Sequence, residues 1–116
     1  MEEVPKQERR QWPRHDIDVA IKVRIASAGG LTAYAYGRGD NLSEGGIAAH
    51  LQHHLELGAT VRLSMVLPHA SRQIDCQAVV RNKNEFAYGL QFKDLTTADL
   101  ELIRNTCTLL GGTPTG

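Results

Sequence analysis

From Asp18 onward the chain alternates. Val19, Ile21, Val23 and Ile25 interleave with Asp18, Ala20, Lys22 and Arg24, the period of two that a half-buried strand requires because successive side chains point to opposite faces. Residues 27–30, Ser-Ala-Gly-Gly, supply a turn, and residues 31–36 read as a second strand. Residues 37–46 are rich in glycine and read as a loop, after which the chain re-enters a strand at Ile47. Val61, Leu63, Met65 and Leu67 alternate across residues 60–67. Residues 74–81 and 86–92 follow as strands, with Arg81-Asn82-Lys83-Asn84-Glu85 as the hairpin loop between them.

The period then changes. Leu100, Ile103, Cys107 and Leu110 fall on one helical face, Thr96 or Thr97 can cap the N-terminus, and Asp99 sits in the first turn, where a carboxylate meets the positive end of the helix dipole. Gly111 and Gly112 are expected to stop the helix. Short strands separated by turns and closed by one helix point to a small barrel or sandwich.

Residues 1–16 contain Pro5 and Pro13 and show no apolar period, so they read as a flexible arm. The expected organisation is an arm over 1–16, a barrel with its helix over 17–110 and a frayed tail over 111–116. With 116 residues the chain is one domain by size.

Charge removes several function classes. Lys plus Arg and Asp plus Glu each number 13, so no net charge draws the whole protein towards nucleic acid or anionic lipid. Basic character is local, in Lys6, Arg9, Arg10 and Arg14, partly offset by Glu2, Glu3 and Glu8. Cys76 and Cys107 form no C-x-x-C or zinc-ligand spacing and are expected as reduced, partly buried thiols. No apolar run approaches the roughly 18 residues of a membrane span, and the start lacks a signal-peptide core, so a cytoplasmic location is expected.

Two short motifs carry the chemistry: Arg9-Arg10-Gln11-Trp12-Pro13-Arg14 before the first strand, and Asn41-Leu42-Ser43-Glu44-Gly45-Gly46 opening a later one. They reduce to Arg-x-x-x-Arg, on Arg10 and Arg14, and Asn-x-Ser-x-x-Gly. A guanidinium fork matches the O6 and N7 acceptors of guanine with two parallel hydrogen bonds, and it also pairs with phosphate. Asn and Ser add polar groups at short range.

In order and spacing the two motifs resemble the paired signature of the PilZ family, bacterial receptor domains for cyclic di-GMP. The resemblance extends over roughly residues 8–110, with Tyr88-Gly89-Leu90-Gln91-Phe92 similar to the family's closing strand. It implies an all-β six-stranded antiparallel barrel with one C-terminal helix, and a non-catalytic receptor with cyclic di-GMP as ligand and no cofactor or metal. Arg10 and Arg14 would then hold guanine edges and phosphate oxygens from the arm, closing it over the nucleotide. Asn41 and Ser43 would contact the ligand from the barrel, and Gly46 would keep the surface or the backbone turn open. Arg9 stands where the family is associated with a stacked ligand dimer. The output would be contact with an unidentified downstream protein, with no membrane insertion and no nucleic acid. Arg81 is a further candidate contact, and Trp12 is expected to pack the arm on the barrel.

Two other readings stay open: a PilZ-like protein-interaction module that binds no nucleotide, and a small barrel that binds single-stranded nucleic acid through its basic arm. Balanced charge and 5% aromatic residues count against the second. Asn41 and Ser43 also suit a side-chain-stabilised turn. His50, His53 and His54 lack a carboxylate or cysteine cluster and read as surface histidines. Arg38-Gly39-Asp40 is expected to set loop geometry, and Ser43 has no G-x-S-x-G setting for catalysis.

Overall fold

The computed structural model describes residues 14–26, 32–68, 70 and 72–111. Arg9, Arg10, Trp12, the turn at 27–30 and Gly112 with the rest of the tail lie outside the described residues.

Six strands follow in order: β1 (His15–Ala26), β2 (Thr32–Leu42), β3 (Gly46–Leu51), β4 (Thr60–Met65), β5 (Ile74–Asn84) and β6 (Ala87–Lys93). The helix α1 (Thr97–Gly111) comes last. Each strand pairs antiparallel with two neighbours in the closed order β1-β2-β3-β6-β5-β4. Closure comes from β1 meeting β4, with Ile21 opposite Met65, Lys22 opposite Ser64, Val23 opposite Leu63 and Arg24 opposite Arg62. A closed sheet leaves no unpaired strand edge.

The alternation expected of β1 is the one that fills the barrel: Val19, Ile21 and Val23 are buried. Leu42, Leu51, Leu63, Ile74, Val80 and Leu90 meet them from the other strands. Each such side chain contributes about 1.5–3 kcal/mol by leaving water. Tyr88 shows how a polar group is accommodated there. Its hydroxyl donates to the His53 carbonyl at 2.8 Å and accepts from the Leu55 amide at 3.0 Å, pinning the β3–β4 connection to the barrel.

The region expected as a loop over 37–46 is mostly strand. β2 continues to Leu42, and Gly37 and Gly39 pair with Leu51 and Ala49. A Cβ at Gly37 would lie 2.0 Å from the His50 carbonyl oxygen, so this glycine marks a close approach of strands rather than a loop. Arg38-Gly39-Asp40 is therefore strand too, with Arg38 paired to Asp18 at 2.7 Å and Asp40 to His50 at 2.9 Å. The β5–β6 hairpin is tighter than expected. Both strands run on until only Glu85 and Phe86 separate them, with Glu85 at φ 58.

In α1 the Thr96 hydroxyl accepts from the Asp99 amide at 3.0 Å, the capping arrangement anticipated for Thr96 or Thr97. The face turned to the barrel is Asp99, Ile103, Thr106 and Cys107. Leu110, read on one helical face with Ile103 and Cys107, is 38% exposed, so burial of that face does not extend to it. Asp99 is nearly buried and paired with Arg72 at 2.8 Å. Cys76 and Cys107 are free and buried, and burial pushes both thiols up to about 11.

Candidate functional site

Strand pairing brings together what the sequence keeps apart. At one end of the β1–β2 ladder His15 lies opposite Leu42 and Asp16 opposite Asn41. Arg14, immediately before β1, therefore comes up beside the segment Asn41 to Ser43. All three border a groove of about 990 Å³ on the outside of the barrel, floored by β3, β6 and β5. Its polar lining also includes Asp40, His50, Arg81, Asn82, Lys83 and Gln91.

Two β-bulges aim side chains into this groove. In β2 the inward positions are odd-numbered through Ala35 and Gly39, but the register shifts between Gly39 and Asn41. Leu42 becomes the next buried residue, and Asn41 turns to the outside opposite Ala48. In β5 a second shift between Val80 and Asn82 leaves Arg81 and Asn82 both exposed. An extra residue in one strand resets the alternation beyond it and increases the local twist.

Asn41 Nδ2 lies 3.5 Å from Asp16 Oδ1, a long contact, while its Oδ1 is buried and accepts no hydrogen bond from the described residues. A buried acceptor without a donor is costly.

Ser43 is already engaged. Its hydroxyl oxygen accepts from the amides of Gly45 and Gly46, each at 3.2 Å, and its own amide donates to the Gly46 carbonyl at 2.9 Å. This is the side-chain-stabilised turn that joins β2 to β3. Removing the hydroxyl in Ser43→Ala leaves two amides without their acceptor and is expected to lower stability by about 1 kcal/mol. A melting temperature equal to that of the unaltered protein would show that the turn holds without it.

Gly46 sits where β3 meets β6. A Cβ there would lie 2.2 Å from the Leu90 carbonyl oxygen, so the close neighbour of this glycine is the adjacent backbone. Glu44, inside the same turn, accepts from Arg104 of α1 at 2.9 Å and ties the motif to the helix.

Arg81 Nε donates to Gln91 Oε1 across β5 and β6. His50 and His54 are exposed and paired with Asp40 and Glu56, and among the described residues no cluster of His, Cys, Asp or Glu suits a metal. Asp40, His50, Asn82 and Gln91 were not singled out from the sequence as site residues. Their shared groove arises from the β2–β3–β6–β5 order, which no local pattern encodes.

A closed six-stranded barrel carrying a polar groove where an Arg-bearing strand start meets an Asn-x-Ser-x-x-Gly turn defines the class. The PilZ domain family's sequence profile matches residues 8–108, and the chain belongs to that family.

Solved structures agree on the fold. The inhibitor of motility MotI/DgrA of Bacillus subtilis is similar with a TM-score of 0.70 and 24% identity over 93% of this chain, which spans 56% of that protein. The PilZ domain of YcgR from Escherichia coli, solved with c-di-GMP, has a TM-score of 0.66 at 14% identity, covering 89% of this chain and 92% of that one. The PilZ domain of CeSA from a cellulose-synthesizing bacterium has a TM-score of 0.57 at 15% identity, covering 86% and 96%. No curated protein matches in sequence. Among the described residues no helix is long and apolar enough to cross a membrane.

Proposed function

We propose that this domain is a non-catalytic receptor for cyclic di-GMP, bound in the groove bordered by Arg14, Asn41 and Ser43. The observation that carries the reading is the convergence of Arg14 from the first motif with Asn41 and Ser43 from the second on one groove, with the Asn41 Oδ1 acceptor buried and, among the described residues, unpartnered at its edge. Guanine presents the N2 amino group as a donor and O6 with N7 as acceptors, which complement Asn41 Oδ1 and an arginine fork respectively. Arg14 supplies that fork at the groove. Arg10, and Arg9 for a second stacked nucleotide, come from the arm, which closes over the ligand because only the closed form brings these guanidinium groups to it. Cyclic di-GMP in the similar PilZ domain of YcgR supports the ligand class.

Calorimetry with cyclic di-GMP and cyclic di-AMP tests the reading. Binding of the first and weak or absent heat with the second is expected, since adenine sets an amino donor against the guanidinium donors. Two nucleotides per chain are expected if Arg9 acts as described, and a one-to-one endpoint removes that role. Equal heats would refute guanine recognition. No heat with either would leave the protein-interaction module as the function.

A further inference from the structure

The barrel carries a second polar face on β4, β1 and the first half of β2, whereas the groove is floored by β3, β6 and β5. Arg62, Arg24 and Tyr34 stand side by side across these strands, and Ser64, Lys22 and Tyr36 form the next row. Their side chains point outward because the intervening Ile21, Val23 and Leu63 fill the core. Tyr34 and Tyr36 are 49% and 66% exposed, and Lys22 Nζ lies 5.4 Å from the Tyr34 ring centre.

This arrangement works against the fold. Residues directly opposite on antiparallel strands have Cβ atoms about 4.5–5.5 Å apart, and like charges there are destabilising. Arg24 and Arg62 occupy such a pair. Among the described residues neither they nor Lys22 forms an ion pair. The neighbouring carboxylate, Asp75, accepts hydrogen bonds from Ser64 at 2.7 Å and Gln73 at 3.0 Å, and these, with the charges of Arg62 and Lys22, hold it below the usual carboxylate range; it is one negative charge against three cations. A depression of about 170 Å³ opens among Lys22, Arg24, Tyr34 and Arg62, with Ser64, Gln73 and Asp75 completing its lining, so three cationic side chains share one carboxylate there.

We propose that this face docks an acidic segment of a partner protein, with one carboxylate entering the depression between Arg24 and Arg62 and adjoining apolar groups lying on Tyr34 and Tyr36. Arginine and tyrosine are the residue types that concentrate binding energy at protein interfaces. A carboxylate between the two guanidinium groups relieves their repulsion and accepts hydrogen bonds from both. Asp18 and Asp75 flank the cationic rows on the same outer surface. They would repel a continuous run of phosphates, whereas the carboxylates of a peptide fall at discrete positions between them.

Docking on this face is independent of the nucleotide groove, so a failure of cyclic di-GMP binding leaves it standing. The test uses the full chain and fluorescence anisotropy with a labelled peptide rich in Glu and Asp and carrying one Leu. Oligothymidylate and phosphatidylserine vesicles serve as comparators. Saturable peptide binding that weakens with salt is expected. Arg24→Glu turns a like-charge pair into an opposite-charge one, so its melting temperature is expected at or above that of the unaltered protein while peptide affinity falls about tenfold or more. Tyr36→Ser, at an exposed position, is expected to weaken the peptide too. Absence of peptide binding, undiminished affinity in both variants, or equally strong binding of the oligonucleotide or vesicles would each overturn the proposal.

Discussion

Arg14→Ala is expected to weaken cyclic di-GMP binding about 10- to 100-fold while the barrel stays folded. A charge-assisted hydrogen bond contributes roughly 1.5–3 kcal/mol, and each factor of ten in affinity corresponds to about 1.4 kcal/mol. Arg14 is exposed and precedes β1, so its side chain contributes little to the core. Calorimetry reads the affinity, and circular dichroism reads the fold. Arg14→Lys sharpens the test, because an ammonium keeps the charge but cannot present the planar fork; recovery of full affinity by lysine would reduce the role of Arg14 to electrostatics. Unchanged affinity in Arg14→Ala would remove the residue from the site.

Gly46→Ala is expected to cost on the order of 3 kcal/mol of stability, at the upper end of what overpacking does. The added Cβ would stand 2.2 Å from the Leu90 carbonyl oxygen and 3.3 Å from the Gln91 Cα. Both belong to the backbone of β6, and neither can swing aside as a side chain can. Relief requires β3 and β6 to separate where Gly46 pairs with Gln91 and Ile47 with Leu90. Urea denaturation measures the effect through the transition midpoint. A variant with unaltered stability and lost nucleotide affinity would instead assign Gly46 to the ligand surface.

The Asn-x-Ser-x-x-Gly motif divides by physical role. Ser43 and Gly46 build the turn and the strand contact, while Asn41 presents an unmet acceptor. Sequence reading expected all three at the ligand and gave Asn41 and Ser43 a turn role that can coexist with it. The geometry assigns that turn to Ser43, whose hydroxyl is occupied by Gly45 and Gly46.

Local pattern determined a large part of this protein. Alternation of Val19, Ile21 and Val23 named the inward face of β1, Thr96 and Asp99 marked the helix start, and the two motifs named Arg14 and Asn41. These features depend on neighbours a few residues away, through side-chain period and capping geometry. The tertiary structure alone decided three others. The strand continuation over 37–42 hides behind glycines whose reason is a close partner across the sheet, as at Gly37 against the His50 backbone. The bulge before Asn41 reverses the alternation, so that Asn41 faces out and Leu42 faces in, an outcome set by pairing with Ile47 and Ala48. Contact between β1 and β4 both closes the barrel and sets Arg24 against Arg62. In each case the deciding interaction joins residues remote in the chain, and strand register, which no local period contains, determines which of them meet.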